Sequence, residues 1–332
     1  MTHQFRALMV RENNGNFNAE VEQILMTEIP KNEVLIKVAY SSVNYKDALS
    51  ASGNKGVTRK FPHIPGIDAA GQVVSSTSEN IAEGDNVIVT GYDLGMNTWG
   101  GFCEYVSVPA NWVIKLPEGL SLFEAMCLGT AGLTAGLSVY NLINSGIRKE
   151  QGQIVVSGAT GGVGSISIAI LSKLRYEVLA ISGKEEDHFI TQVLGAASII
   201  SRKEFVDTYD QKAMSKAEYS GGIDTVGGSI LSGIIKSLKY SGAVTTCGNV
   251  ASAEISTSIF PFILRGVKLI GIDSVEQPID FKSEIWNLLA QEWKPKLLKD
   301  IVKEISLEQL PDVLKTISEG NARGRFVVNH SL

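Results

Sequence analysis

Cysteine is scarce: three residues in 332, at Cys103, Cys127 and Cys247. An odd number with no C-x-x-C spacing excludes a disulfide framework and a cysteine-built zinc lobe. Histidine is nearly as rare. His3, His63, His188 and His330 form no H-x-x-x-H pair, so each reads as a surface or loop residue rather than a ligand. The working expectation is a protein without metal. Basic residues form no stripe, and 30 Lys and Arg against 35 Asp and Glu give a formal net charge of −5. That balance argues against a nucleic-acid footprint. No apolar run reads as long enough to span a bilayer. The opening MTHQFRALMVRENNG lacks the charged start, apolar core and small-residue cleavage site of a signal peptide. The expected setting is cytoplasmic, with neither nucleic acid nor membrane as partner.

What is present is glycine, 33 residues, within a chain that is 44% hydrophobic. This describes an α/β protein with many tight turns, long enough for two domains. The first third is strand-like. The segments 33-EVLIKVAYSSV-43, 69-AAGQVVSS-76, 85-DNVIVTGY-92 and 100-GGFCEYVSVP-109 alternate around Gly, Asn, Asp and Pro, which suggests a compact, barrel-like β region. Ser121 with Glu124 three residues later forms a capping box, so a helix begins there. Strands and helices then alternate: 153-QIVVSG, a helix from about Val163 to Leu174, 176-YEVLAIS, a helix from about Glu185 to Leu194, 197-ASIIS, 222-GIDTVGG, 243-AVTTCG and 267-VKLIGID. Such alternation implies a doubly wound parallel sheet. Two helices follow, near 280–293 and 306–319. The final strand 325-RFVVN-329 has no parallel partner nearby in sequence and is read as returning to the N-terminal β region. The division expected is 1–125 with 274–332 for the β-rich domain, and 126–273 for the doubly wound one.

The stretch 154-IVVSGATGGVGS-165 places Gly158, Gly161, Gly162 and Gly164 between a buried strand and a helix. Small residues there permit a tight turn and let a helix start lie against a pyrophosphate. No Gly-Lys-Ser/Thr closes the run, which excludes a P-loop. Thr160, Gly161, Gly162 and Val163 are the expected phosphate contacts. At the end of the next strand, where an acid would hold a free ribose 2′-hydroxyl, stand Ser182, Gly183 and Lys184. A hydroxyl, a glycine and a cation suit a 2′-phosphate, so the cofactor expected is NADP(H). Arg202 is a candidate second cation.

Taken together, 44-NYKDAL-49, 62-PHIPGIDAAG-71, 99-WGGFCEY-105, 158-GATGGVG-164, 222-GIDTVGG-228 and 261-PFILRGVKLIGIDS-274 resemble the medium-chain dehydrogenase/reductases. More narrowly they resemble the quinone oxidoreductase-like group that includes acrylyl-CoA reductases. The resemblance covers nearly the whole chain and implies a GroES-like catalytic domain beside a Rossmann cofactor domain. In zinc-dependent members the first catalytic ligand is a Cys where this chain has Asn44. The second is the His of a Gly-His-Glu motif that here reads Gly66, Ile67, Asp68. The resemblance therefore implies a zinc-free enzyme.

It also places Asn44, Tyr45 and Asp47 near the nicotinamide and substrate. Tyr45 is the candidate polar donor and a cofactor contact, while Asp47 orients its neighbours. Thr130 and Thr134 resemble positions beside the nicotinamide. Cys247, Gly248, Ile272 and Asp273 close the fifth and sixth strands, at the ends that line a ligand crevice. Arg325 is read as reaching the cofactor or an acyl-CoA phosphate. Three functions stay open at this point: a reductase of activated alkenes including acryloyl thioesters, a quinone reductase, and a non-enzymatic NADPH-binding protein. Relatives imply a homodimer that pairs 267-VKLIGID-273 across a two-fold axis.

Overall fold

A computed structural model describes residues 3–183 and 188–332. Lys184 and the start of the helix expected from Glu185 lie outside these residues; Phe189–Val193 forms a short π-helical turn. The chain divides into two compact units. One is Met1–Thr130 with Val275–Ala290 and Ile301–Leu332, and the other is Ala131–Ser274 with Gln291–Asp300.

Unit one opens on a hairpin, β1 (Gln4–Asn13) against β2 (Asn16–Leu25). Its seven-stranded sheet takes β3 (Val34–Val43), β4 (Asp68–Ser76), β5 (Asn86–Thr90), β6 (Tyr105–Val108) and β7 (Val113–Lys115), with β14 (Val302–Ile305) and β15 (Arg325–Asn329) from the chain end. Alternation puts Ile36, Val38, Val87, Val89, Val106 and Val328 on the buried face, around Phe5 and Phe102. Two helices, α1 (Tyr45–Ala51) and α8 (Leu310–Ser318), and a third, α7 (Ile279–Ala290), complete the unit. The last strand does return to the N-terminal region: β15 runs antiparallel to β3, with Phe326 opposite Val43. It also has a parallel neighbour nearby in sequence, β14. That corrects the reading. The segment Val-Lys-Glu-Ile keeps its two central residues exposed, so its pattern carries little strand signal.

Unit two is a parallel six-stranded sheet in the order β10-β9-β8-β11-β12-β13. The strands are β8 (Ile154–Val156), β9 (Val178–Ser182), β10 (Ser198–Ser201), β11 (Tyr219–Asp224), β12 (Leu238–Thr246) and β13 (Lys268–Gly271). The helices α3 (Gly162–Lys173), α4 (Arg202–Tyr209), α5 (Gly228–Ser237) and α6 (Phe260–Arg265) connect them. The chain leaves β8 toward β9 and later resumes on its other side at β11. This makes a switch point at the carboxyl end of β8, the position where doubly wound sheets bind ligands.

Between the units the chain runs through α2 (Leu122–Asn144). The expected capping box is there: Ser121 N donates to Glu124 Oε2 at 3.0 Å and Glu124 N donates to Ser121 Oγ at 3.2 Å. By length and composition α2 is apolar enough to cross a membrane, which corrects the reading that no run is long enough. Because 78% of its apolar window is buried inside the protein, it behaves as a core helix. It breaks at Gly129, whose φ of 53° and ψ of −155° are not helical. Two histidines also depart from expectation. His63 and His330 are buried, at 2% and 5% exposure, because each is packed into unit one with a ring nitrogen bonded: Gly95 O for His63, Ser41 Oγ for His330.

Candidate active site and cofactor site

In unit one the end of β3, the start of α1, the start of β4, the break in α2 and the start of β15 meet around two buried carboxylates. Asp47, in the first turn of α1, turns back on the helix start. Its Oδ2 accepts the Asn44 N–H at 2.7 Å and its Oδ1 accepts the Ile67 N–H at 2.9 Å. It thereby ties the helix start to the loop before β4. Burial, and then the adjacent Asp68 charge, push the Asp47 carboxyl up to about 7, against the pull of those N–H donors.

Asp68 collects more donors. Its Oδ2 accepts from Ser42 Oγ, from Asn44 Nδ2 at 2.8 Å and from Thr130 N at 2.8 Å, and its Oδ1 accepts from Thr130 Oγ1 at 2.5 Å. Arg325 supplies the cation. Its Nη1 donates to Val43 O and to Asn44 Oδ1, both at 3.1 Å, and its Nη2 donates to Leu128 O at 3.5 Å. Its Nε is buried with no partner among the described residues. Burial lowers the proton affinity of the guanidinium, and the Asp68 charge is the first to oppose that.

The break at Gly129 makes this convergence possible. A Cβ there would sit 2.7 Å from Asp68 Oδ2 and 2.9 Å from Arg325 Nη2. Glycine is required twice over, for the positive φ and for the close approach. Tyr45 stands apart from the cluster at 48% exposure, and its hydroxyl makes no hydrogen bond among the described residues.

In unit two the glycine loop leaves β8 and enters α3 with no side-chain cap among the described residues. Gly158 has φ 61°, and a Cβ on Gly164 would collide with the Gly158 carbonyl. Gly161 is exposed. Ser182, buried, ends β9, and Gly183, exposed, follows it. A Cβ on Gly183 would lie 3.9 Å from Arg202 Cζ, so the guanidinium sits directly beside that turn. Cys247 and Gly248 follow β12, and Ile272 N donates to Thr246 O at 2.9 Å just beyond β13. Burial pushes the Cys247 thiol up to about 12, which leaves it inert as a nucleophile.

Two family models match the chain, the alcohol dehydrogenase GroES-like domain over residues 30–118 and the zinc-binding dehydrogenase over residues 162–291. YhfP of Bacillus subtilis (strain 168), whose name assigns it to the quinone oxidoreductases, is 44% identical over 331 residues, 99% of each chain. Its structure with NAD bound has a TM-score of 0.95, covering 99% of this chain and 100% of that one. The chain is a medium-chain dehydrogenase/reductase. Acrylyl-CoA reductase AcuI of Ruegeria pomeroyi is 39% identical, covering 98% of this chain and 99% of the relative. The yhdH oxidoreductase of Salmonella enterica, solved in complex with NADP, has a TM-score of 0.94 at 38% identity over 98% of this chain and 99% of that one. The expected GroES-like and Rossmann-type pairing of domains is thereby established.

Within this dehydrogenase/reductase the expected residues fall into groups. Asn44, Asp47, Thr130 and Arg325 converge in unit one. Thr160, Gly161, Gly162 and Val163 form the loop of unit two, with Cys247, Gly248 and Ile272 at neighbouring strand ends. Ser182, Gly183 and Arg202 form a separate group there. Thr134 is buried and donates to Ser274 Oγ at 2.8 Å, while Asp273 is exposed just beyond β13. Sequence reasoning passes over Ser42 and Gly129, and treats Asp68 only as a substituted ligand. Gly129 leaves a trace, a glycine inside an apolar helical run followed by a threonine.

Proposed function

We propose that this chain is a zinc-free, NADPH-dependent reductase. It passes a hydride to an acceptor that arrives already electrophilic: a quinone, or the C=C bond of an enone or acryloyl-CoA-like enoyl thioester. The observation that carries this reading is the position of Asn44 between Asp68 and Arg325. The amide nitrogen is engaged by the carboxylate and the amide oxygen by the guanidinium. Neighbouring Ile67 is buried hydrocarbon. Neither residue has the thiolate or imidazole that zinc takes from such positions. A divalent ion there would also stand beside the buried Arg325 guanidinium, whose charge opposes it. Zinc does not fit.

NADPH does fit the second unit. The collision that a Cβ on Gly164 would cause keeps the loop backbone and helix start as close as glycine allows. The uncapped first turn of α3 leaves N–H groups for a pyrophosphate. Ser182, Gly183 and Arg202 suit a 2′-phosphate, and the NADP complex of the Salmonella relative supports this assignment. Bound NADPH supplies the hydride.

The chain's own residues do the rest. Tyr45 has a hydroxyl free to donate to the oxygen that gains charge on the acceptor. Asp47 is enclosed and bonded to two backbone N–H groups, so it holds the start of α1 and moves no substrate proton. Asp68 and Arg325 fix Asn44 from opposite sides, and Asp68 alone holds Thr130. As for assembly, β13 is an edge strand carrying exposed Leu269, and Ile259, Phe260, Ile263 and Leu264 leave apolar surface just before it in sequence. This supports a homodimer formed on that edge.

The deciding experiment follows NADPH oxidation with acryloyl-CoA and with a panel of small quinones. Faster turnover of one class names the acceptor. NADPH binding without turnover of either would make the chain a non-enzymatic binder and end this reading.

A further inference from the structure

Unit two holds a carboxylate that the chemistry above does not use. Asp224 ends β11 and is fully buried. Its Oδ1 accepts from Ser157 Oγ at 2.7 Å and from Val226 N at 3.4 Å. Its Oδ2 accepts from Gly227 N at 2.9 Å and from Thr246 Oγ1 at 3.0 Å. Its backbone carbonyl accepts the Cys247 N–H at 3.1 Å. One residue thus binds the carboxyl ends of three neighbouring strands: β8 through Ser157, β11 through itself, and β12 through Thr246 and Cys247.

Ser157 is the residue from which the glycine loop departs. Its N–H donates to Ile223 O at 3.0 Å, its Oγ accepts the Thr225 N–H at 2.9 Å, and its carbonyl accepts Thr225 Oγ1 at 3.1 Å. The next residue, Gly158, lies so close to Thr225 Oγ1 that a Cβ would collide with it. Gly158 O in turn accepts the Gly161 N–H at 2.9 Å. A short chain of bonds therefore runs from Asp224 through Ser157 and Gly158 to the N-cap of α3. Asp224 sits below the loop with four donors directed at its oxygens. It braces the loop without presenting charge to an anion above it.

We infer that Asp224 is a positioning residue for the cofactor: through Ser157 it sets the backbone of the glycine loop whose N–H groups receive the pyrophosphate. The inference rests on the NADPH reading and adds a residue outside the phosphate loop to it. Two substitutions test it. Asp224→Asn keeps the size but turns one acceptor into a donor facing donors, and Ser157→Ala cuts only the link to the loop. Affinities are measured by NADPH fluorescence. The competitors are 2′-phospho-ADP-ribose, which keeps the pyrophosphate, and 2′-AMP, which lacks it.

In both variants Kd for NADPH and for 2′-phospho-ADP-ribose rises about tenfold, while that for 2′-AMP stays within about twofold. The kcat at saturating NADPH stays within about threefold, and the losses of the double variant fall short of the sum of the single ones. The inference is overturned if folded variants bind all three ligands as the wild type does. It is equally overturned if all three weaken together in step with a lower Tm, which marks a general brace. If Asp224→Asn fails to fold, Ser157→Ala decides alone. Wild-type protein that does not bind NADPH defeats the cofactor reading itself, a result distinct from either of these.

Discussion

Thr130 gives Asp68 both of its donors, the backbone N–H to Oδ2 at 2.8 Å and the hydroxyl to Oδ1 at 2.5 Å. With Ser42 and Asn44 on the same carboxylate, removing it strands one buried and three part-buried donors at once. Asp68→Ala is expected to cost about 3 kcal/mol or more, since each unsatisfied buried group costs roughly 1–3 kcal/mol. Urea unfolding measures it, and a loss within about 0.5 kcal/mol would contradict the arrangement.

Gly129→Ala tests the break in α2. The substitution adds a Cβ against Asp68 and Arg325 at a φ of 53°. A destabilisation of about 2 kcal/mol is expected, although alanine is the better helix former in an ordinary helix interior. Unchanged thermal stability would mean that the helix runs straight through.

On the proposed reading, Arg202 is the residue that separates the two nicotinamide cofactors. Arg202→Ala removes the guanidinium beside Gly183, so KM for NADPH should rise about tenfold while KM for NADH changes little. Equal changes for both cofactors would place the 2′-phosphate elsewhere.

Tyr45→Phe removes the one exposed hydroxyl at the start of α1. A fall in kcat of about tenfold is expected with an enoyl thioester, where charge collects on one oxygen. The fall should be smaller with a quinone. If steady-state rates with both acceptors are unaffected, Tyr45 only packs.

Two buried groups in unit one pull stability in opposite directions with pH. Burial, with Arg6 adding to it, lowers His330 from its ordinary 6.5 to about 3. Between those values the unfolded chain holds a proton that the fold does not, so this contribution is lost as pH falls. Asp47 is raised from 3.8 to about 7. Between those values the fold holds a proton that the unfolded chain has released, so this contribution is lost as pH rises. From pH 4.5 to 6.5, His330→Gln should therefore lose stability relative to wild type as pH rises, by about 1 kcal/mol per unit. Asp47→Asn should gain relative to wild type over the same window. Unfolding midpoints that shift in the same direction for both would refute the assignment.

Most strands were legible because their pattern is physical: Val, Ile and Ala in short buried runs between glycines leave few alternatives. The β1–β2 hairpin was missed although its signal was present, with Asn14 and Gly15 both at positive φ (50° and 80°) between two extended runs. The glycine loop between β8 and α3 is legible because a tight strand-to-helix turn needs residues without a Cβ, as at Gly158 and Gly164. Asp68 and Asp224 were not. Each acts through donors far away in sequence, Thr130 for one and Ser157 for the other, and no local spacing records a contact across that distance. The sequence reads Arg325 as reaching toward cofactor or an acyl-CoA phosphate; in the fold its side chain is enclosed beside Asn44.

The interrupted α2 has one more effect, on the backbone itself. Its break creates two new helix ends in the middle of unit one's charge cluster. The last carbonyl before the break, Leu128 O, faces the Arg325 guanidinium, and the first amide after it, Thr130 N, faces the Asp68 carboxylate. Helix macrodipoles place partial negative charge at the first kind of end and partial positive charge at the second. The peptide chain thus acts as counter-ion to both side chains, and each is neutralised by a helix terminus as well as by its neighbours. Replacing both side chains together by apolar residues would leave the two termini opposed and unsolvated, so the loss should persist where a simple buried ion pair would recover.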